Sequence, residues 1–347
     1  MSVIQTLTPQ MTFYNERFTD NGCVRWLPYF MFFNPPNYRS EPVNTDSKGF
    51  RYSVANGVKY SVAELNGIKH ARLLAGNSVV FGTGTTGDEW TLPSRMSVAD
   101  PDECFWLNFG GVAFNSTQEL MLLVLYRHLL PKIDEIILIS GFNNLGLSRQ
   151  PARLRGDQGA LFSGDQFFDA MYARNESGWK SLTARLFGSK RRVTFTSETP
   201  SMTDQVVTWS EVPTVQEQIE YATQLTLSHV DMWRAIAADM GAKLTFMLQP
   251  FATWVRSRGS TEEQSLFAEL DNVGNFTASY GDILGADVGT EYASRLALGT
   301  KEMNVRFVNL NPLMADVLRP DQWAYVDRIH LTNEGYGLLA NIVANSR

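Results

Sequence analysis

Five short apolar runs, separated by helical patterns and turn residues, constrain the fold of this chain more than any other feature. Ala71–Ala75 ends in Gly76, Cys104–Phe109 ends in Gly110-Gly111, and Ile133–Ser140 is closed by Gly141. Lys243–Leu248 and Val305–Leu310 repeat the theme. Between them lie helical patterns: one opening at the capping-box-like Asn115–Glu119 and running to Leu130 before Pro131, and Val215–Met240, stopped by Gly241. Thr261–Leu270 and Asn333–Ala344 add two more. Continuous apolar runs alternating with helices predict a parallel sheet covered on both faces, with its chemistry in the loops after the strands' carboxyl ends.

The 347 residues are long enough for a large core, and 44 % apolar with 19 % charged residues is the balance of a folded enzyme rather than a disordered chain. A net charge of −6 with both signs interspersed leaves no basic footprint, so no nucleic-acid partner is expected. Cys23 and Cys104 lack any metal or redox spacing and read as two buried free thiols. The first residues lack a cationic stretch leading into an apolar core, and the longest apolar run, Leu120–Leu125, is too short to span a bilayer. The expectation is a cytoplasmic protein without a membrane span, in which the sequons at Asn115, Asn175 and Asn275 carry no meaning.

Two stretches break the rhythm. Residues 1–68 are dense in turn formers, among them Asn34-Pro35-Pro36-Asn37 and Asn44–Arg51, and read as an arm packed on a main domain of residues 69–347. Residues of about 145–214 are rich in Arg, Gly, Ser and Asp, with a hairpin pattern around Arg192–Trp209, and read as an insertion over the active-site end. The aromatic group Phe30, Phe32, Phe33 and Tyr38 reads as core packing rather than a pocket wall. Arg153, Arg155 and Lys190-Arg191-Arg192 read as solvated surface rather than a site for an anionic substrate.

Several motifs sit at strand ends. Gly82-Thr83-Gly84-Thr85-Thr86-Gly87 is a literal GxGxxG, but Val79-Val80-Phe81 separates it from the preceding strand and no acidic residue ends the next one, so a dinucleotide site is disfavoured. Gly76-Asn77-Ser78 places a serine where strand becomes helix, exposing a hydroxyl beside backbone N–H groups. Asp327-Arg328-Ile329-His330, just before the last helix, supplies a base that titrates near neutrality and a carboxylate able to fix its tautomer. Gly141-Phe142-Asn143 offers an amide to a developing oxyanion, and the loop Asn108–Asn115 offers backbone N–H groups. Each has a bland alternative as a helix cap or plain turn; together they lie along one edge of the expected sheet.

In that order, Gly-Asn-Ser, Asn-x-Gly, Gly-x-Asn and Asp-x-x-His before a terminal helix resemble the SGNH (GDSL esterase/lipase) superfamily over roughly residues 69–146 and 212–347. The resemblance implies a flavodoxin-like three-layer α/β/α domain and ester chemistry without metal or cofactor. By position it implies Ser78 as nucleophile, His330 as base, Asp327 as its orienting carboxylate, and an oxyanion hole from the N–H of Ser78, the amide of Asn143 and the N–H of residue 113. The sequence departs from the family pattern at Asn77, at Asn144 and at Ala113, where the family has Asp, Asp and Gly; alanine keeps the N–H but resists positive φ, so a reshaped loop is expected there. Asn44–Arg51 also resembles an arm found in bacterial SGNH proteins, some linked to surface-polysaccharide or secondary-metabolite genes. The function so implied is hydrolysis of a small-molecule or glycan ester. Acyl transfer to a sugar, amine or other acceptor is the alternative, and a non-catalytic binding protein on the same scaffold is a second.

Overall fold

A computed structural model of the chain describes residues 2–14, 18, 25–150, 155, 212–274 and 276–347. Cys23, Arg153, Lys190-Arg191-Arg192 and the Arg192–Trp209 hairpin pattern lie outside the described residues. The segment read as irregular turns contains regular structure. Helices α1 (Val3–Leu7) and α2 (Pro9–Thr12) precede two small antiparallel hairpins, β1 (Arg25–Leu27) with β2 (Met31–Phe33) and β3 (Ser53–Ala55) with β4 (Val58–Tyr60). The second hairpin turns at Asn56-Gly57, both at positive φ (50° and 77°), which is the residue pair that a two-residue hairpin turn requires. Phe30, Phe32 and Phe33 are buried in the main core, as expected, and Phe50 stacks on Phe109 with centroids 5.1 Å apart.

The central sheet holds five parallel strands: β5 (His70–Gly76), β6 (Trp106–Gly110), β7 (Lys132–Ser140), β8 (Lys243–Leu248) and β9 (Arg306–Asn309). Their spatial order is β6-β5-β7-β8-β9, the flavodoxin-like arrangement in which the connection reverses between β5 and β7. Each apolar run of the sequence became one of these strands, shifted by at most two residues at either end. Ile136, Ile137, Leu138 and Ile139 in β7 are at most 1 % exposed, each burial contributing about 1.5–3 kcal/mol. On one face α4 (Leu92–Ala99) packs against the terminal helix, Asn333–Ser346; on the other lie α5 (Ser116–Tyr126), α6 (Phe142–Ser148), α7 (Val215–Met240) and the helix Ala286–Glu302. The architecture is therefore a three-layer α/β/α sandwich.

Three expectations need correction. The stretch read as an insertion begins later than 145, because residues 145–148 complete α6. Arg155 is half-buried rather than solvated: its guanidinium lies 4.0 Å from the Tyr221 ring centroid and donates to the Ser148 carbonyl at 3.3 Å. Cys104 is a free thiol but only half-buried, because it precedes β6 at the sheet's end. Among the described residues no helix is long and apolar enough to cross a membrane.

A buried polar layer ties α5, α6 and α7 together below the carboxyl edge of the sheet. Asn144 accepts from the Ser116 N–H at 3.0 Å and donates to the hydroxyls of Ser116 and Thr226, both at 2.7 Å. Ser116 also bonds His229 Nδ1 at 2.7 Å, and Thr226 bonds the Tyr292 hydroxyl at 2.8 Å. Glu119, 1 % exposed, accepts only the Ser140 hydroxyl at 2.9 Å, and burial pushes its carboxyl up to about 8. An acid whose folded pKa is raised loses its proton first in the unfolded chain, near 4.5, so stability falls as pH climbs from there toward 8, by at most about 1.4 kcal/mol per pH unit. Burial pushes His229 down to about 4, so its own linkage acts below pH 6.5, where stability falls with falling pH. Glu119→Gln is therefore expected to flatten the decline in urea-unfolding stability between pH 6.5 and 8; an unchanged slope would exclude Glu119 as its source.

Candidate active site

Ser78 opens α3 (Ser78–Phe81) directly after β5, as its first residue, so its N–H has no intrahelical acceptor. The Asn77 side chain caps the helix, accepting the Val79 N–H at 3.0 Å, while its amide donates to Gln249 Oε1 at the end of β8. Asn at this position is thus both cap and anchor: the amide nitrogen makes a bond that a carboxylate could not donate. Gly76 sits at φ +153°, and a Cβ there would meet the Ile139 carbonyl oxygen at 2.1 Å. Only glycine lets β5 turn into α3 this close to β7.

The other half of the site is a tight turn between the bridged residues Tyr325 and Leu331. Asp327 Oδ1 accepts the N–H groups of Ile329 and His330, each at 2.7 Å, so the carboxylate closes the turn that carries the histidine. Its Oδ2 lies 2.7 Å from His330 Nδ1, and His330 Nε2 lies 2.8 Å from Ser78 Oγ. Ser78, Asp327 and His330 therefore form one continuous hydrogen-bonded chain joining residues 252 positions apart. Burial opposes ionisation of Asp327, but the His330 charge and the three hydrogen bonds outweigh it and hold the carboxyl below its ordinary value. An ionised Asp327 accepts from Nδ1–H, which leaves Nε2 as the acceptor for the serine proton.

The turn is itself braced by residues that sequence reading did not single out. Glu263 Oε1 accepts the N–H groups of Ala324 and Tyr325 at 2.9 and 3.0 Å, while its Oε2 pairs with Arg256 at 2.7 Å. Arg328 forks onto Asp271 at 3.0 and 2.6 Å. Neither pair has a local spacing signal, since the partners lie 61 and 57 residues apart.

One hydrogen bond ties Asn143 to the loop that carries Ala113. Asn143, near the start of α6, donates its amide to the Phe114 carbonyl at 2.7 Å, which leaves its second N–H to be directed elsewhere. Ala113 adopts φ +59°, the left-handed conformation that a glycine would favour. That conformation costs an L residue about 1–2 kcal/mol, strain that the surrounding contacts over-determine. The glycine-rich Gly82–Gly87 segment also acquires a role. Gly84, at φ +97°, lies where a Cβ would meet the Leu331 carbonyl oxygen at 2.7 Å and His330 Cβ at 3.6 Å. It packs the loop after the serine against the histidine turn. The Ala113 strain generates a prediction: Ala113→Gly should raise stability in chemical denaturation by about 1 kcal/mol, whereas a loss would mean that the left-handed backbone is not strained there.

No protein-family model and no curated protein matches the sequence. Among solved structures the chain is similar to a carbohydrate acetylesterase from Sinorhizobium meliloti, at 14 % identity over 80 % of this chain and 97 % of that one, TM-score 0.42. A member of the lipolytic protein G-D-S-L family from Veillonella parvula DSM 2008 is 9 % identical, with the same 80 % and 97 % coverage and a TM-score of 0.42. A GDSL-like lipase from Bacteroides thetaiotaomicron VPI-5482 is 13 % identical over 80 % of this chain and 86 % of that one, TM-score 0.38.

Proposed function

We propose that the chain is a serine-dependent ester hydrolase of the SGNH type, with Ser78 as nucleophile, His330 as general base and acid, and Asp327 orienting His330. The observation that carries this reading is the unbroken chain from Asp327 Oδ2 through His330 to Ser78 Oγ, with links of 2.7 and 2.8 Å. A serine hydroxyl by itself is a weak nucleophile, and a base within hydrogen-bond reach, itself held by a third group, is what activates it. A binding role on the same scaffold would give no reason for this alignment.

In the proposed reaction, Ser78 Oγ attacks the ester carbonyl carbon while its proton passes to His330 Nε2. The resulting imidazolium is stabilised by ionised Asp327. In this reading the oxyanion is received by the N–H of Ser78, the second amide proton of Asn143 and the N–H of Ala113. His330 then protonates the departing alkoxide, leaving an acyl-enzyme. A water, deprotonated by His330, releases the acid by the same steps in reverse roles. An alcohol acceptor in place of water would give acyl transfer from the same intermediate, so product analysis with and without added acceptor separates hydrolysis from transfer.

A fluorophosphonate probe should label the folded protein at Ser78, and Ser78→Ala should remove the label. Failure of the folded wild-type protein to label, or undiminished labelling of Ser78→Ala, would overturn the nucleophile assignment. Asp327→Asn should leave the fold intact and slow release of p-nitrophenol from a short-chain ester by about 10³–10⁴-fold, because the imidazole is no longer held in the productive tautomer. A loss below tenfold would remove Asp327 from the mechanism.

A further inference from the structure

The triad alone does not explain how α3 is held. A helix of four residues makes one turn and cannot fix its own position. Its carboxyl-end carbonyls are instead gripped by a side chain from the N-terminal segment. Asp46 shapes the turn of the Asn44–Arg51 motif by accepting the N–H groups of Lys48 and Phe50 at 2.8 and 3.0 Å through Oδ1, and of Ala63 at 3.0 Å through Oδ2. Arg51 leaves that turn fully buried. Its Nη1 donates to the carbonyls of Phe81 at 3.2 Å and Gly82 at 2.8 Å, and to the Tyr14 hydroxyl at 2.9 Å. Its Nη2 donates to Thr85 Oγ1 at 3.0 Å and to the Pro42 carbonyl, and its Nε pairs with Asp88 at 3.1 Å. Asn44, the first residue of the motif, also reaches Asp88, through its N–H at 3.1 Å and its amide at 2.9 Å.

The same segment touches three loops of the site: the one after α3, the histidine turn and the one that carries Ala113. The Tyr14 hydroxyl lies 3.1 Å from the Gly82 carbonyl and 3.0 Å from that of Thr85, and Gln10 donates to the Gly84 carbonyl at 2.9 Å. Met11, Tyr14, Phe18 and Val43 form a small apolar cluster with Phe81, the last residue of α3, and Val326, the residue before Asp327. Val112, beside Ala113, packs on that cluster. A buried Arg–Asp pair is a poor device for stability alone, because apolar side chains of similar volume often do as well. What a planar guanidinium supplies is direction: several donors in a fixed fork.

We propose that this N-terminal segment is a positioning clamp for the reacting pair, with Arg51 and Tyr14 as its polar contacts, acting through Phe81, Gly82 and Val326 to set the distance between Ser78 Oγ and His330 Nε2. The inference rests on the reading of Ser78 and His330 as nucleophile and base. Neither Arg51 nor Tyr14 touches substrate; both act through α3 and the loop after it. Loosening the clamp should therefore slow the chemical step and leave substrate binding alone.

The test uses the full chain with two variants, Tyr14→Phe, which keeps the ring and removes only the hydroxyl, and Arg51→Lys, which keeps the charge and removes the fork. Both are assayed on a p-nitrophenyl ester at temperatures where circular dichroism shows them folded. The clamp predicts kcat at least tenfold lower with KM within twofold, and a fluorophosphonate labelling rate that falls in parallel. It also predicts a displaced midpoint in the pH profile of kcat/KM, since the hydrogen-bonding environment of His330 changes. Lower thermal stability with unchanged kcat, labelling rate and pH profile would overturn the proposal, leaving the segment a structural cover. If Arg51→Lys does not fold, Tyr14→Phe decides. A wild-type protein that does not label at all would instead overturn the nucleophile reading on which the clamp depends.

Discussion

The pairing of β5 with β7 is the constraint on which the rest of the site depends. These neighbours in the sheet are not consecutive along the chain, because the chain leaves β5 for β6 at one side before returning to β7. Their carboxyl ends therefore open a crevice, with the connections diverging to opposite faces. Ser78 follows one strand and Asn143 the other. The pairing is tolerable at that edge only because residue 76 lacks a side chain: a Cβ there would lie 2.1 Å from the Ile139 carbonyl oxygen. A larger residue would push α3 off β7 and carry Ser78 with it.

Two carboxyls show how much the immediate hydrogen-bond partners decide charge. Glu119 is fully buried and is pushed up to about 8, whereas the part-buried Asp327 is held below its ordinary value. Asp327 receives two backbone N–H groups and an imidazole, all donors that favour the anion. Glu119 receives one hydroxyl, which is too little to offset desolvation. The protonated acid belongs to the layer that fixes α5 under the sheet; the ionised one holds the imidazole of His330.

Much of the fold was legible because parallel strands buried on both faces leave an unambiguous trace. The Ile133–Ser140 run could hardly be anything but an inner strand, and Gly241 stops α7 in the left-handed conformation that a helix end favours. The small hairpins were less visible, since three-residue strands have almost no periodicity; Asn56-Gly57 was the one local signal available. At the site, the grouping of Ser78, Asp327 and His330 could be anticipated from their sequence neighbours. The roles of Glu263, Asp271 and Arg51 could not, because each acts on backbone groups or on a charge far away in the chain.

The sequence by itself determined which residues form the strands, where helices start and stop, and which side chains could carry ester chemistry. These are local matters, set by side-chain period, caps and glycine. Only the tertiary structure decided that Ser78 and His330 meet at 2.8 Å, that Ala113 accepts a left-handed backbone, and that the glycine-rich loop lies against the histidine turn. Each of those depends on contacts between segments separated by tens to hundreds of residues. A single chain of letters records such contacts only as residues whose local reason is missing, and Arg51, a fully buried charged residue, is one of them.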